Sequence, residues 1–255
     1  MNRDLVLALF LILVVAAAGW WLFSPSESPP APKIAAPAEN SEPERPAEPV
    51  YRVPSMQGPR ELVDLPSLDD SDAYFRLELR NLFGTTLDRL LIESGGIERF
   101  VATIDNLPRK TVADSIRPLR PVAGALRVVD GEITAANAER YAPYVALFTA
   151  SDIDELVGAY QRFYPLMQEA YQRLGYPDGY FNDRVIVVID HLLQTPAIDE
   201  PLAVTQPHVL YEFTDPSLQS LSAGQKILLR IGPEHRNAVQ QRLRELRSRL
   251  TRLDG

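Results

Sequence analysis

The chain has 255 residues, carries 34 acidic against 26 basic side chains for a net charge of −8, and contains no cysteine. Disulfides, thiolate metal sites and lipid attachment through cysteine are thereby excluded, and the acidic balance argues against a nucleic-acid partner. The charge is unevenly spread: residues 61–225 hold 25 acidic and 13 basic side chains, whereas residues 226–255 hold three acidic and eight basic.

After residues 1–4, the stretch Leu5 to Phe23 reads LVLALFLILVVAAAGWWLF, without a charge. At about 1.5 Å per residue it makes a helix of roughly 28 Å, which matches a hydrocarbon core of about 30 Å. Trp20 and Trp21 fall at its far end, where indole rings favour the headgroup layer. Arg3 precedes the run and the next basic residue is Lys33. The positive-inside rule therefore expects a cytoplasmic N-terminus (1–4), a single-pass signal-anchor helix (5–23) and everything later on the outer side. A cleaved signal peptide is the alternative, with Ala16-Ala17-Ala18 as cleavage pattern; against it, the apolar run continues from Gly19 to Phe23.

Residues 24–60 hold ten of the 22 prolines and almost no large apolar residues, so they read as a disordered spacer. At about 3.1 Å per residue its reach is capped near 115 Å. No repeated P-x-x-P core with a basic flank marks it as a docking peptide.

Residues 61–255 suffice for one domain with a real core. Asp69, Asp70 or Ser71 can cap a helix running to Phe83, and a short helix is expected from Leu87 to Ile92. Ile97 to Leu107 forms the next, stopped by Pro108; Pro118 and Pro121 make residues 108–124 a loop. Asp130-Gly131 between Leu126–Val129 and Glu132–Thr134 is a hairpin signal. Ile153, Leu156, Val157, Tyr160, Tyr164, Met167, Tyr171 and Leu174 follow helical spacing over Asp152 to Leu174. Asn182 to Gln194 is apolar nearly all round and is expected at the centre. Leu202 to Phe213 offers one or two strands, and helices over Leu218–Ile231 and Glu234–Leu253 finish the chain. The expected fold class is mainly α, α+β only through a small β element, on a single-pass anchor.

Four phrases, Thr103-Ile-Asp-Asn-Leu-Pro-Arg109, Arg140-Tyr-Ala-Pro-Tyr-Val145, Gly175-Tyr-Pro-Asp-Gly-Tyr-Phe-Asn-Asp-Arg184 and Leu221-Ser-Ala-Gly-Gln-Lys226, resemble the bacterial domain of unknown function 3014 family. The resemblance runs from about Leu65 to Leu246. It implies a proteobacterial envelope protein with this anchor, spacer and domain layout, hence an inner-membrane protein with a periplasmic domain. It brings no catalytic residue or ligand with it.

The segment Gly175 to His191 is richest in chemistry. Asp183 and Asp190, seven residues apart on one helix face, and His191 beside them are the candidate catalytic groups. Tyr176, Tyr180, Phe181 and Arg184, presented by the Pro-Asp-Gly turn, are the candidate binding residues. The competing reading makes Asn182 or Asp183 a helix cap and satisfies Asp190 and His191 with local partners. Histidines 191, 208 and 235 are far apart and form no H-x-x-x-H pair, so neither a metal nor a cofactor is implied. Ser222 and Lys226, four apart, match Ser-Lys nucleophilic spacing or a simple helix cap. The tyrosines and phenylalanines from Tyr141 to Phe181 read mostly as core, with Tyr176 and Tyr180 exposed.

The last helix pairs the stripe Val239, Leu243, Leu246, Leu250, Leu253 with Arg242, Arg244, Arg247 and Arg249, which is either a membrane or partner face or a basic helix packed on the acidic body. The expectation is a non-catalytic interaction or scaffold module, membrane-held, that contacts another envelope protein or a cell-wall component. The alternative is an envelope hydrolase using an Asp/His pair beside an aromatic cleft.

Overall fold

The computed structural model describes residues 48–53, 65–83, 91–92, 94–199 and 201–252. The expected membrane helix at 5–23 and the expected helical residues Leu87 to Leu90 lie outside them. Among the described residues no helix is long and apolar enough to cross a membrane.

A 3-10 turn over Leu68–Asp70 leads into α1, Asp72–Phe83, whose Phe75 and Leu79 are buried. The Asp72 carboxylate accepts the main-chain N–H groups of Gly95 and Gly96 at 2.8 Å each, so the start of α1 holds the start of α2, Gly96–Asn106. A Cβ on Gly96 would lie 3.0 Å from the Phe75 ring, so the two helices meet there only because the position is bare. Leu91 is not the end of a helix: it bridges Leu119, and the Ile92 N–H reaches the Pro118 carbonyl.

The Asp-Gly signal is realised. Strands β1 (Val128–Val129) and β2 (Glu132–Ile133) pair through Asp130 and Gly131, both at positive φ, as a two-residue turn of this hand requires. Strands β3 (Val204–Thr205) and β4 (Glu212–Phe213) form a second antiparallel pair, linked to the first by a Glu132–Ala203 bridge. Leu202, Val204, Phe213 and Leu229 make a small core beneath them.

Two helices were not expected: α3, Ala135–Glu139, and α4, Ala142–Ala150. The apolar residues of α4 are not confined to one side, and Pro143 reads as a breaker. It sits in the first turn, where its missing N–H is no loss. Helix α5, Ile153–Arg173, is capped by Asp152 and continues through Pro165. Helix α6 spans Phe181–Leu193. Its Val185, Ile186, Val188, Ile189 and Leu192 are buried, but Val187 is 53% exposed, so the helix is central on all but one stripe.

The expected helix over Leu218–Ile231 is two, α7 (Pro216–Gln219) and α8 (Ala223–Arg230), because Ser222 starts a new one with a complete capping box. Helix α9, Pro233–Leu250, packs on α4, α5, α6 and α8. Its Leu243, Leu246 and Leu250 are fully buried, each contributing about 1.5–3 kcal/mol. The described domain is mainly helical with two small antiparallel sheets.

Candidate functional site

Two of the four phrases that carry the family resemblance, 103–109 and 175–184, meet around one buried carboxylate. Asp105, 1% exposed near the end of α2, accepts from Arg184 Nε at 2.8 Å and from Arg109 Nη2 at 2.8 Å. The Tyr176 hydroxyl donates to the same carboxylate at 3.3 Å, and the Asp105 carbonyl accepts from Arg184 Nη2 at 2.6 Å. Tyr176 stacks on Tyr171 with ring centres 4.6 Å apart. Arg109 remains 55% exposed at its side chain, so a buried anchor presents a guanidinium and a phenol at fixed positions to solvent. Asp105 carried no signal by itself; the Asp–Arg spacing of four across the end of α2 was the available clue.

The turn that supplies Tyr176 is held by Gln168 of α5. Its Nε2 donates to the Gly179 carbonyl at 2.7 Å, and its Oε1 accepts the Phe181 N–H at 2.8 Å. Gln168 is thus the donor-satisfying group at the start of α6, where Tyr180 is the N-cap position and makes no side-chain cap. Asn182 and Asp183 lie inside the first turn and do not cap it. The Tyr164 hydroxyl joins Gln168 Oε1 at 3.0 Å, and burial pushes its pKa up to about 12. Phe181, expected beside the turn as a binding residue, is fully buried between Phe100 and Tyr171.

Asp183 and Asp190, seven residues apart, share a face of α6, whereas His191 points about 100° away from Asp190, and each of the three has its own partner. Asp183 accepts the N–H groups of Val50 at 2.9 Å and Tyr51 at 2.7 Å. Asn182 donates to the Tyr51 carbonyl at 2.9 Å, while Tyr160 donates to Asn182 at 3.1 Å. Residues assigned to the spacer thus sit on the domain, and Tyr51 and Val53 pack against the main core. Three such hydrogen bonds amount to about 1 kcal/mol each, a modest hold. Asp190 forms a two-pronged pair with Arg247 of α9, Nη2 to Oδ2 at 2.9 Å.

His191 Nε2 lies 2.8 Å from Ser222 Oγ. Burial, reinforced by Arg184, lowers the His191 pKa and keeps the ring neutral at pH 7. The pair has the reach of a nucleophile and its base, but the surroundings serve a cap. Ser222 Oγ accepts the Gln225 N–H at 3.2 Å, and the next two N–H groups, of Ala223 and Gly224, are bound to the carbonyls of Arg109 and Leu107. The main-chain N–H groups from Ser222 to Gln225 are thus all engaged and none is left for an oxyanion. Lys226 is buried, with its pKa lowered to about 8 by burial and then by Arg230 and Lys110.

The arginine face of α9 is largely paired within the domain. Arg242 meets Glu245 at 2.6 Å, Arg247 meets Asp190, and Arg249 meets Asp154 of α5. Arg244 is exposed. Val239, Leu243, Leu246 and Leu250 of the apolar stripe are core, so they are not available to a bilayer, and Leu253 lies outside the described residues. A cavity of about 510 Å³ lies elsewhere, between β2, α3 and the α8–α9 turn, and none of the expected site residues lines it. Among the described residues no three His, Asp or Glu side chains are grouped so as to hold a metal ion.

No curated protein and no solved structure matches the chain. A family model described as "Protein of unknown function (DUF3014)" matches residues 96–247, opening at the first residue of α2 rather than at Leu65. That match takes in all four phrases and the whole Asp105 cluster, and the chain belongs to this family.

Proposed function

We propose that this protein is a non-catalytic interaction module held at the inner membrane by residues 5–23, with its helical domain in the periplasm. The uncharged run at 5–23 and the charge flanking it support the placement. The observation that carries the module reading is the Asp105 cluster. A buried carboxylate fixes Arg109, Arg184 and Tyr176, and arginine and tyrosine held in advance are the side chains that dominate protein interfaces. Exposed Val187, one turn along α6 from Arg184, adds an apolar contact beside them. An envelope hydrolase built on Asp190 and His191 has less support, since those residues engage Arg247 and Ser222 separately.

In-cell photocrosslinking from Val187 tests the reading. The expected result is a discrete envelope partner whose capture is lost on combining Arg109→Ala with Tyr176→Ala. A crosslinking pattern indifferent to that double substitution sinks it. Alkaline phosphatase fused to the C-terminus tests the placement separately: activity is expected, and an inactive, stably produced fusion reverses the orientation.

A further inference from the structure

Helix α6 has a second functional stripe, distinct from the one that carries Arg184. At its first turn Asp183 and Asn182 together read the main chain of an extended segment. The carboxylate takes two successive N–H groups, of Val50 and Tyr51, and the amide donates to the Tyr51 carbonyl. Asn182 is fully buried and its own oxygen is bound by Tyr160, so its amide is oriented before any peptide arrives. One side chain is seated as well: Tyr51 packs against the main core. Val50, by contrast, points into solvent at 74% exposure.

This is the chemistry of a peptide-docking cleft. The main-chain contacts ask only for an extended backbone, and the position packed on the core asks for an aromatic ring. The bound segment is remote in sequence, 132 positions from Asp183, and is held by three main-chain hydrogen bonds and the packing of Tyr51 and Val53. We propose that the cleft of Asn182 and Asp183 is a docking site for an extended peptide bearing a tyrosine, offered by a partner protein, and that Glu48–Val53 is its resident occupant. The partner's peptide binds by displacing this segment. Because the resident is supplied by the same chain at high effective concentration, it sets the threshold that a partner must exceed. The inference goes beyond the Arg109–Tyr176 face, which concerns a different surface.

The probe is a fluorescent hexapeptide of sequence Glu-Pro-Val-Tyr-Arg-Val, and the protein is the full-length chain in detergent micelles. Tyr51→Ala weakens the resident, so this variant is expected to bind the peptide at least tenfold more tightly than wild type does. Adding Asp183→Ala is expected to remove that binding, and a peptide with alanine in place of tyrosine is expected not to bind. Two results overturn the proposal: a Tyr51→Ala protein that melts cooperatively yet does not bind the peptide, or binding that is equal with and without Asp183. Should Tyr51→Ala not fold, Val50→Pro deletes one N–H from the resident and nothing from the cleft, and the same comparison applies. Neither negative result bears on crosslinking from Val187, so the two readings fail independently.

Discussion

Arg184 grips Asp105 twice, through the carboxylate at 2.8 Å and through the main-chain carbonyl at 2.6 Å, and so ties the end of α2 to the start of α6 across 79 positions of sequence. The carboxylate is buried, whereas its other guanidinium partner, on Arg109, is half in solvent. The two ends of this network therefore differ in energetic weight. Asp105→Ala leaves a partly desolvated guanidinium without its counter-charge and is expected to destabilise the domain by about 3 kcal/mol. Arg109→Ala removes only an exposed partner and is expected to cost under about 1 kcal/mol. Urea unfolding midpoints measure both, and equal losses would show that Asp105 is not the hub.

Ser222 separates a cap from a nucleophile. Its hydroxyl closes the capping box of α8 with Gln225 and also meets His191. Ser222→Ala is expected to lower stability by about 1 kcal/mol, the ordinary cost of losing an N-cap. A fluorophosphonate probe is expected to leave wild-type Ser222 unlabelled, because the adjacent N–H groups already serve carbonyls. Stoichiometric labelling at Ser222 by mass spectrometry would revive the hydrolase reading.

Stability is expected to rise with pH across two windows. The lowered pKa of His191 means that, as pH falls below the ordinary value of 6.5, the unfolded chain takes up a proton before the folded one does. The domain therefore weakens on acidification, and His191→Gln is expected to flatten the loss. Lys226 acts in the alkaline window. Its amine is lowered from 10.5 to about 8 by burial first, then by Arg230 and Lys110, with Glu212 opposing. Between those values the folded state has released a proton that the unfolded chain retains, so the burden of the buried charge, complete below about 8, is relieved towards 10.5. Lys226→Met is expected to raise Tm at pH 7 by a few degrees and to bring no gain at pH 10.5. A pH-independent gain would mean that packing, not charge, is responsible.

Much of the helical layout was legible because periodicity reports which side of a helix is buried. The α5 stripe and the Asp-Gly turn rest on local rules that need no tertiary context. Helix α4 was missed because its apolar residues are not confined to one side and a proline stands in its first turn. The aromatic pair Tyr176 and Tyr180 was expected beside the turn, and both are partly exposed there, but Phe181 next to them faces the opposite way into the core. The site was less legible than the fold because its anchors are singletons. Asp105, Gln168 and Asn182 each act on residues far away in sequence, and no local pattern announces such partners. The seating of Tyr51 on α6 was hidden for the same reason, within a stretch whose prolines read as spacer.

Gly224 gives the sharpest test of how closely α8 is seated. The residue is helical, so a side chain there carries no backbone penalty and by propensity alone alanine would be favoured by about 1 kcal/mol. A Cβ, however, would lie 2.5 Å from Leu192 Cδ2 and 3.2 Å from the Leu107 carbonyl oxygen. That same carbonyl receives the Gly224 N–H at 3.0 Å, so α8 cannot back away without losing the bond. Leu192 is itself 1% exposed and part of the main core, so moving it disturbs its neighbours. Gly224→Ala is therefore expected to destabilise by about 1–3 kcal/mol, as overpacking does, despite the better helix former. Thermal unfolding of the full-length protein reads the sign directly. A stabilised variant would mean that α8 does not press on Leu107 and Leu192, and the Ser222–His191 contact beside it would then lose its positional basis.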